Sequence, residues 1–226
     1  MQAWWITNNL SFLTRYWYTA KAALRRVSEE PETFEEFEAN GVGRSYVDAV
    51  ISSHLEHHNY AALLLAFASF EEFFSTLCVE LGRAHGVSIE PSDLKDRGVQ
   101  RFRKFIHKVC QVSERDLQID WVFLQQFAAV RNCLVHANGN RGRLSDPKSL
   151  DRVVAAYPEE LAYIHGVKLK LSDDFVGRCI RETERASLAL VHHVIAQSNP
   201  NQPSLRQGHR SSPSGRRVKK TRDRKR

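Results

Sequence analysis

Arg131, Asn132 and His136 sit near the end of an otherwise apolar segment, Trp121 to Ala137. An arginine among apolar neighbours needs a partner, because an unpaired buried guanidinium is costly. On an ideal helix Arg131 and His136 stand about 140° apart, while Asn132 and His136, four residues apart, stack on one face. A last turn that loosens before Gly139 would bring all three to one edge. The trio suits a phosphodiester. A histidine titrating near pH 6.5 can move a proton on a hydroxyl at physiological pH. An arginine holds phosphate oxygens bidentately and offsets developing charge. Asparagine can position the phosphate or the imidazole. RNA carries its own nucleophile, the 2′-hydroxyl, so this chemistry needs neither metal nor cofactor. The plainer reading is an Arg and a His that pair with helix carboxylates at a packing surface.

Most of the first 196 residues read as helix. Leu13 to Val27 is amphipathic, and Pro31 to Asn40 reads as a short acidic helix that Gly41 and Gly43 close. Tyr46 to Gly82 has few breakers. Its centre, Ala61 to Ala68, is apolar on every side, which predicts a central buried helix ended by Gly82 and Gly86. Ser92 is a possible cap for a helix running to about Cys110. There Arg97, Arg101, Lys104 and Lys108 fall within about 60° of one another, opposite Val99, Phe102, Phe105, Ile106 and Val109. This basic stripe is either a solvated face or a track for the RNA backbone. Ser113 or Asp120 starts the Trp121 helix, and Asn138-Gly139 stops it. Asp146-Pro147 opens a helix to about Ala156. Val167, Leu169 and Leu171 alternate with lysines around Gly166, which predicts a small hairpin. Ser172-Asp173-Asp174 caps a last helix to about Gln197.

Other candidate groups are weaker. His54, His57 and His58 have helical spacing but no accompanying ligand motif, so they read as a polar patch and no metal site is expected. His192-His193 reads as a favourable charge pair near a helix C-terminus. Cys133, inside the motif, reads as a core thiol. Gly41-Val42-Gly43 lacks the rest of any nucleotide-binding fingerprint. Trp4-Trp5 reads as a hydrophobic docking point more than as an interface anchor.

The chain has 226 residues and a net charge of +7. Residues 197–226 hold ten Lys/Arg against one acid, Asp223, so the remainder is slightly acidic. A basic isoelectric point therefore describes the tail and does not make the body a nucleic-acid binder. The tail has no aromatic residue for base stacking, so electrostatic tethering or mere solubilisation is its expected role. Hydrophobic content of 42% excludes a disordered chain as a whole. The longest apolar stretch, Ala61 to Phe70, falls short of the roughly 20 residues of a membrane span. The first residues lack a signal-peptide pattern. Four scattered cysteines suit free, mostly buried thiols. Together these predict a cytoplasmic protein with no membrane partner.

The run Arg131-Asn132, three residues, His136, followed by Ala137-Asn138-Gly139, resembles the signature of the HEPN superfamily, an Arg with a polar residue directly after it and a His four to six residues beyond. Ala62 to Phe74, with its acidic pair Glu71-Glu72, is similar to that family's long second helix. The resemblance covers roughly Tyr46 to Gln197 and is nearest to stand-alone bacterial members of the RiboL-PSP-HEPN group. It implies an all-α bundle that forms a homodimer, with two copies of the Arg–His helix facing each other across a cleft. It implies a metal-independent endoribonuclease of a toxin–antitoxin or antiviral-defence system, with RNA as substrate and an antitoxin or regulatory protein as a further partner. Arg131 and His136 become the catalytic pair, Asn132 the polar helper, and Glu71 the supporting acid, with Glu72 competing for that place. Members that only bind RNA, nucleotide or a protein partner leave a catalytically silent module as the alternative.

The expected architecture is an all-α, HEPN-like helical bundle with a small β-hairpin before the last helix. The expected organisation is an N-terminal helical extension (1–43), a helical domain (44–197) and a disordered basic tail (198–226).

Overall fold

A helix that is apolar all round must be covered all round, and the chain is arranged about this requirement. A computed structural model describes residues 2–29, 35, 39–41 and 43–198. The central element is helix α2, Arg44–Ala84, whose fully buried side chains include Leu63, Phe70, Phe74, Leu77 and Leu81. By length and composition α2 is long and apolar enough to cross a membrane, yet half of its most apolar window is buried against the rest of the chain. Helices α1 (Gln2–Glu29) and α7 (Asp173–Ser198) flank it. Between α2 and α7 run α3 (Gly98–Lys104), α4 (Glu114–Leu117), α5 (Trp121–Ala137), α6 (Pro147–Ala156) and the antiparallel strands β1 (Leu161–Ile164) and β2 (Lys168–Leu171). The architecture among the described residues is thus all-α with one hairpin before the last helix.

The central rings pack edge to face. Phe67 meets Phe127 of α5 at 5.0 Å and 90°, and Phe74 meets Trp121 at 6.0 Å and 83°. Such pairs add about 0.5–1.5 kcal/mol each beyond area burial. Four free thiols, Cys78, Cys110, Cys133 and Cys179, are buried in the same core. Burial pushes the Cys110 and Cys133 thiols up to about 11, so Cys133 is an inert packing group.

Helix α1 begins at Gln2, eleven residues before the amphipathic stretch. Ile6, Leu10 and Trp17 enter the common core, and this burial outweighs the weak helix propensity of the Trp and Asn residues around them. Lys21, four residues further on, is 4% exposed and pairs with Asp173. Asn59 completes the knot. Its carbonyl accepts from Trp17 Nε1 at 3.0 Å and Lys21 Nζ at 3.2 Å, and its amide donates to the Leu171 carbonyl and to Asp173, each at 3.1 Å. One polar cluster therefore joins α1, α2 and the start of α7. Trp5 packs edge-on against Phe73 at 4.9 Å, while its neighbour Trp4 is 71% exposed.

Three local expectations are corrected. Ser92 does not cap a long helix. Glu90 and Asp93 cap a 3₁₀ turn, Pro91–Asp93, reciprocally, and α3 starts only at Gly98, whose φ of +53° breaks the helical path. Phe105–Val109 then forms a π turn, with Cys110 N–H donating to the Phe105 carbonyl at 2.9 Å. His193 does not serve as a charged group at the helix end. Helix α7 continues to Ser198, and His193 stacks on His85 at 6.0 Å, where burial holds its pKa below the usual histidine value. The acidic segment Pro31 to Asn40 lies largely outside the described residues, as does the basic tail beyond Ser198.

Candidate functional site

Helix α5 is set by its two ends. Asp120 caps its start, accepting from Phe123 N–H at 2.9 Å. At the other end Asn138 takes the left-handed conformation, and Gly139 N–H donates back to the Cys133 carbonyl at 3.1 Å. Strand β2 is sewn to this end. Leu169 N–H donates to the Gly139 carbonyl at 2.8 Å, Arg141 N–H to the Val167 carbonyl at 2.8 Å, and Lys168 Nζ to the Asn138 carbonyl at 2.9 Å. The hairpin thereby fixes the turn that follows His136.

Gly139 is buried here with φ +72°, and a Cβ on it would stand 3.2 Å from the Tyr60 hydroxyl. Tyr60 is itself held against the Glu56 carboxylate and the Leu169 carbonyl, and burial pushes its pKa up strongly. Gly139→Ala is expected to cost about 1–2 kcal/mol from the left-handed backbone alone. Urea unfolding of parent and variant measures this. An unchanged midpoint would show that the turn adapts freely.

Helix α5 stays regular through Ala137, so the expected loosening around His136 does not occur. The residues meet by another route. An open cleft of about 880 Å³ lies beside α5, and Arg131, Asn132, His136, Glu71 and Arg97 all line it. The Arg131 side chain lies against α2. Its guanidinium lies over the Phe67 ring at 5.3 Å, and Nη1 donates to Asn132 Oδ1 at 3.0 Å. Arg131 is half-buried, and Asn132 and His136 are exposed. Among the described residues no carboxylate forms an ion pair with Arg131. Glu71 is half-buried on the cleft wall, whereas Glu72 is exposed and away from it.

The basic stripe is divided. Arg97 is extended backbone ahead of α3 and reaches the cleft. Arg101 donates to the Asp96 carbonyl at 2.7 Å, and Lys104 pairs with the Asp96 carboxylate at 2.7 Å. Lys108 is exposed on the π turn. None of these last three lines the cleft. The helical-wheel argument assumed an unbroken helix from Arg97, and Gly98 and the π turn break it at both ends.

The sequence reading missed Arg143, Ser145 and Ser149, which form the far wall. Arg143 and Ser145 fall between the expected stop at Asn138-Gly139 and the helix opened by Asp146-Pro147, and Ser149 falls inside that helix, where no site role was expected of them. The usable signal was the pair of arginines, Arg141 and Arg143, within eight residues of His136. Arg141 makes a bidentate pair with Asp151, both bonds at 2.5 Å, and Asp151 also accepts from Tyr163 at 3.0 Å. These bonds hold the Asp151 carboxyl below its usual range. They anchor the wall to α6 and β1.

The histidine patch on α2 is engaged with backbone carbonyls. His57 Nδ1 lies 2.7 Å from the Ser53 carbonyl, and His58 Nε2 lies 3.1 Å from the Trp17 carbonyl. Among the described residues no group of three or more His, Cys, Asp or Glu has a metal-binding arrangement.

The cleft thus presents a proton-transfer group, a guanidinium, an amide and a carboxylate on a cationic wall. That set can bind a phosphodiester, support the charge of its transition state and move a proton at a neighbouring hydroxyl. Comparison of the chain with family models, with curated proteins and with solved structures found no match.

Proposed function

We propose that the protein is a metal-independent endoribonuclease of HEPN type, acting in the cytoplasm as a toxin or antiviral-defence effector. The observation that carries this reading is the cleft itself, which gathers Arg131, Asn132, His136 and Glu71 with two further arginines. His136 takes the proton of the 2′-hydroxyl as its oxygen attacks phosphorus. The O2′–P bond forms, the P–O5′ bond breaks, and a proton is delivered to the departing 5′-oxygen by the His136 of a second copy. Arg131 carries the charge that builds on the phosphoryl oxygens. Asn132 fixes the guanidinium, and Glu71 supports the cationic wall. The products are a 2′,3′-cyclic phosphate and a 5′-hydroxyl.

A second copy would have apolar side chains to meet on the two helices that carry the site: Val122 and Val135 on α5 are 64% and 48% exposed, and Leu65 on α2 is 51% exposed. An antitoxin or regulatory protein would act by covering the same face. The alternative is a silent module that binds RNA, nucleotide or a partner protein. The absence of an ion pair on Arg131 among the described residues favours the active reading, since a structural arginine would be neutralised within its own chain.

The test is the chemistry of the ends. The full chain incubated with single-stranded RNA is expected to leave cyclic phosphate ends, and a single 2′-deoxy substitution at the cut is expected to block cleavage there. Cleavage that persists at the 2′-deoxy position would sink the mechanism.

A further inference from the structure

We infer that Arg97 and Arg143 flank Arg131 as a track for consecutive phosphates, so that the cleft takes a run of single-stranded RNA and not an isolated phosphate. The inference rests on the ribonuclease reading for the identity of the chain bound. It goes beyond that reading in naming two binding residues and a minimum substrate length.

The first ground is charge. Several other bases of the fold are paired with acids. Lys104 pairs with Asp96, Arg103 with Glu114 at 2.7 Å, Arg141 with Asp151, and Arg178 with Glu160. Among the described residues the three cleft arginines have no such ion pair. Glu71 and Asp146 are the carboxylates on the cleft wall, so three guanidinium groups face two acids there. A concave surface with surplus cations concentrates field and draws polyanions.

The second ground is origin. Arg97 comes from extended chain before α3, Arg131 from the body of α5, and Arg143 from the 3₁₀ turn Arg141–Arg143 beyond its end. That turn is built, not slack. Asn140 Oδ1 accepts from Gly142 N–H at 2.9 Å, the Asn140 carbonyl accepts from Arg143 N–H at 3.1 Å, and Arg141 is clamped by Asp151. Arg141 anchors the turn, and this leaves Arg143 to the cleft. The three arginines thus come to one cleft from three separate stretches of chain.

The third ground is size. A cleft of about 880 Å³ lies near the upper end of ligand-sized sites. Its wall continues in Ser145 and Ser149, whose hydroxyls can donate to phosphate oxygens.

The experiment measures equilibrium binding of uncleavable 2′-O-methyl oligonucleotides, two to eight nucleotides long, to the full chain at several salt concentrations. Affinity is expected to climb until three phosphates are present and then to flatten. Arg97→Gln and Arg143→Gln are each expected to weaken binding about tenfold or more and to reduce the salt slope by about 0.7. Arg101→Gln, whose partner is the Asp96 carbonyl, is expected to bind like the parent. The basic tail is common to all these proteins, so differences among them report the cleft. If Arg97→Gln and Arg143→Gln keep the parent's affinity and slope while the parent cleaves RNA, the track is wrong and the ribonuclease reading stands. If the parent neither binds the oligonucleotides nor cleaves RNA, both fall.

Discussion

Replacing His136 by alanine is expected to abolish RNA cleavage while leaving the fold intact. His136 is exposed and forms part of the cleft wall, so its loss removes a chemical group and little packing. Exposed substitutions of this kind usually shift stability by no more than about 0.5 kcal/mol. Loss of a general acid–base group typically costs about 10²–10⁴ in rate. Two histidines, one from each copy, share the proton transfers in the proposed reaction. The alanine variant loses both at once, so the fall lies at or beyond the upper end of that range. RNA binding survives, because the arginines remain. Cleavage rate, oligonucleotide affinity and thermal midpoint measured on the same preparation check the three statements together. A variant that binds, folds and cuts like the parent would remove His136 from the site.

Arg131→Lys is expected to lose about 10²–10³ in cleavage rate, although it keeps the positive charge. The guanidinium does three things that an ammonium cannot combine. It sits 5.3 Å from the centre of the Phe67 ring, it donates from Nη1 to Asn132, and it still offers a fork of donors to the cleft. Lysine is a point charge on a flexible stem, so the aromatic contact and the fixed orientation go together. The cation–π contact is worth about 0.5–1 kcal/mol at a partly exposed position, so a small loss of stability accompanies a large loss of rate. Single-turnover cleavage beside urea unfolding separates these effects. If Arg131→Lys cleaves within a few-fold of the parent, charge alone suffices and the oriented fork is not required.

Much of the site was legible because the motif and its support are local in sequence. Arg131, Asn132 and His136 lie on one helix, and its caps, Asp120 and Asn138-Gly139, follow plain rules. Glu71 and its competitor Glu72 were marked only by the family resemblance of the central helix, and of the two Glu71 lines the cleft. The geometry that joins them was less legible. An ideal wheel separates Arg131 from His136, yet both line one open cleft of about 880 Å³. The basic stripe failed as a unit because one glycine with positive φ and one π turn lie at its ends. Neither is visible to a calculation that assumes uniform rotation.

Long-range features were the least legible. Nothing in the spacing of the amphipathic stretch marks Lys21, which is buried where Asp173, 152 residues away, meets it. Helix α1 was read from Leu13 because its first turns are stabilised by tertiary burial of Ile6 and Leu10 and not by propensity. The far wall of the cleft, with Arg143, was hidden for the same reason. Its role depends on the Arg141–Asp151 clamp, which no spacing rule announces.

The central claim is that this cleft cuts RNA with its own side chains and the RNA's own hydroxyl. The most direct test is cleavage of a single-stranded RNA in EDTA by the full chain and by His136→Ala side by side, with the new ends analysed. Cleavage by the parent alone, leaving 2′,3′-cyclic phosphate, is the predicted result. Equal cleavage by both proteins, or none by a parent that still binds the RNA, would contradict it.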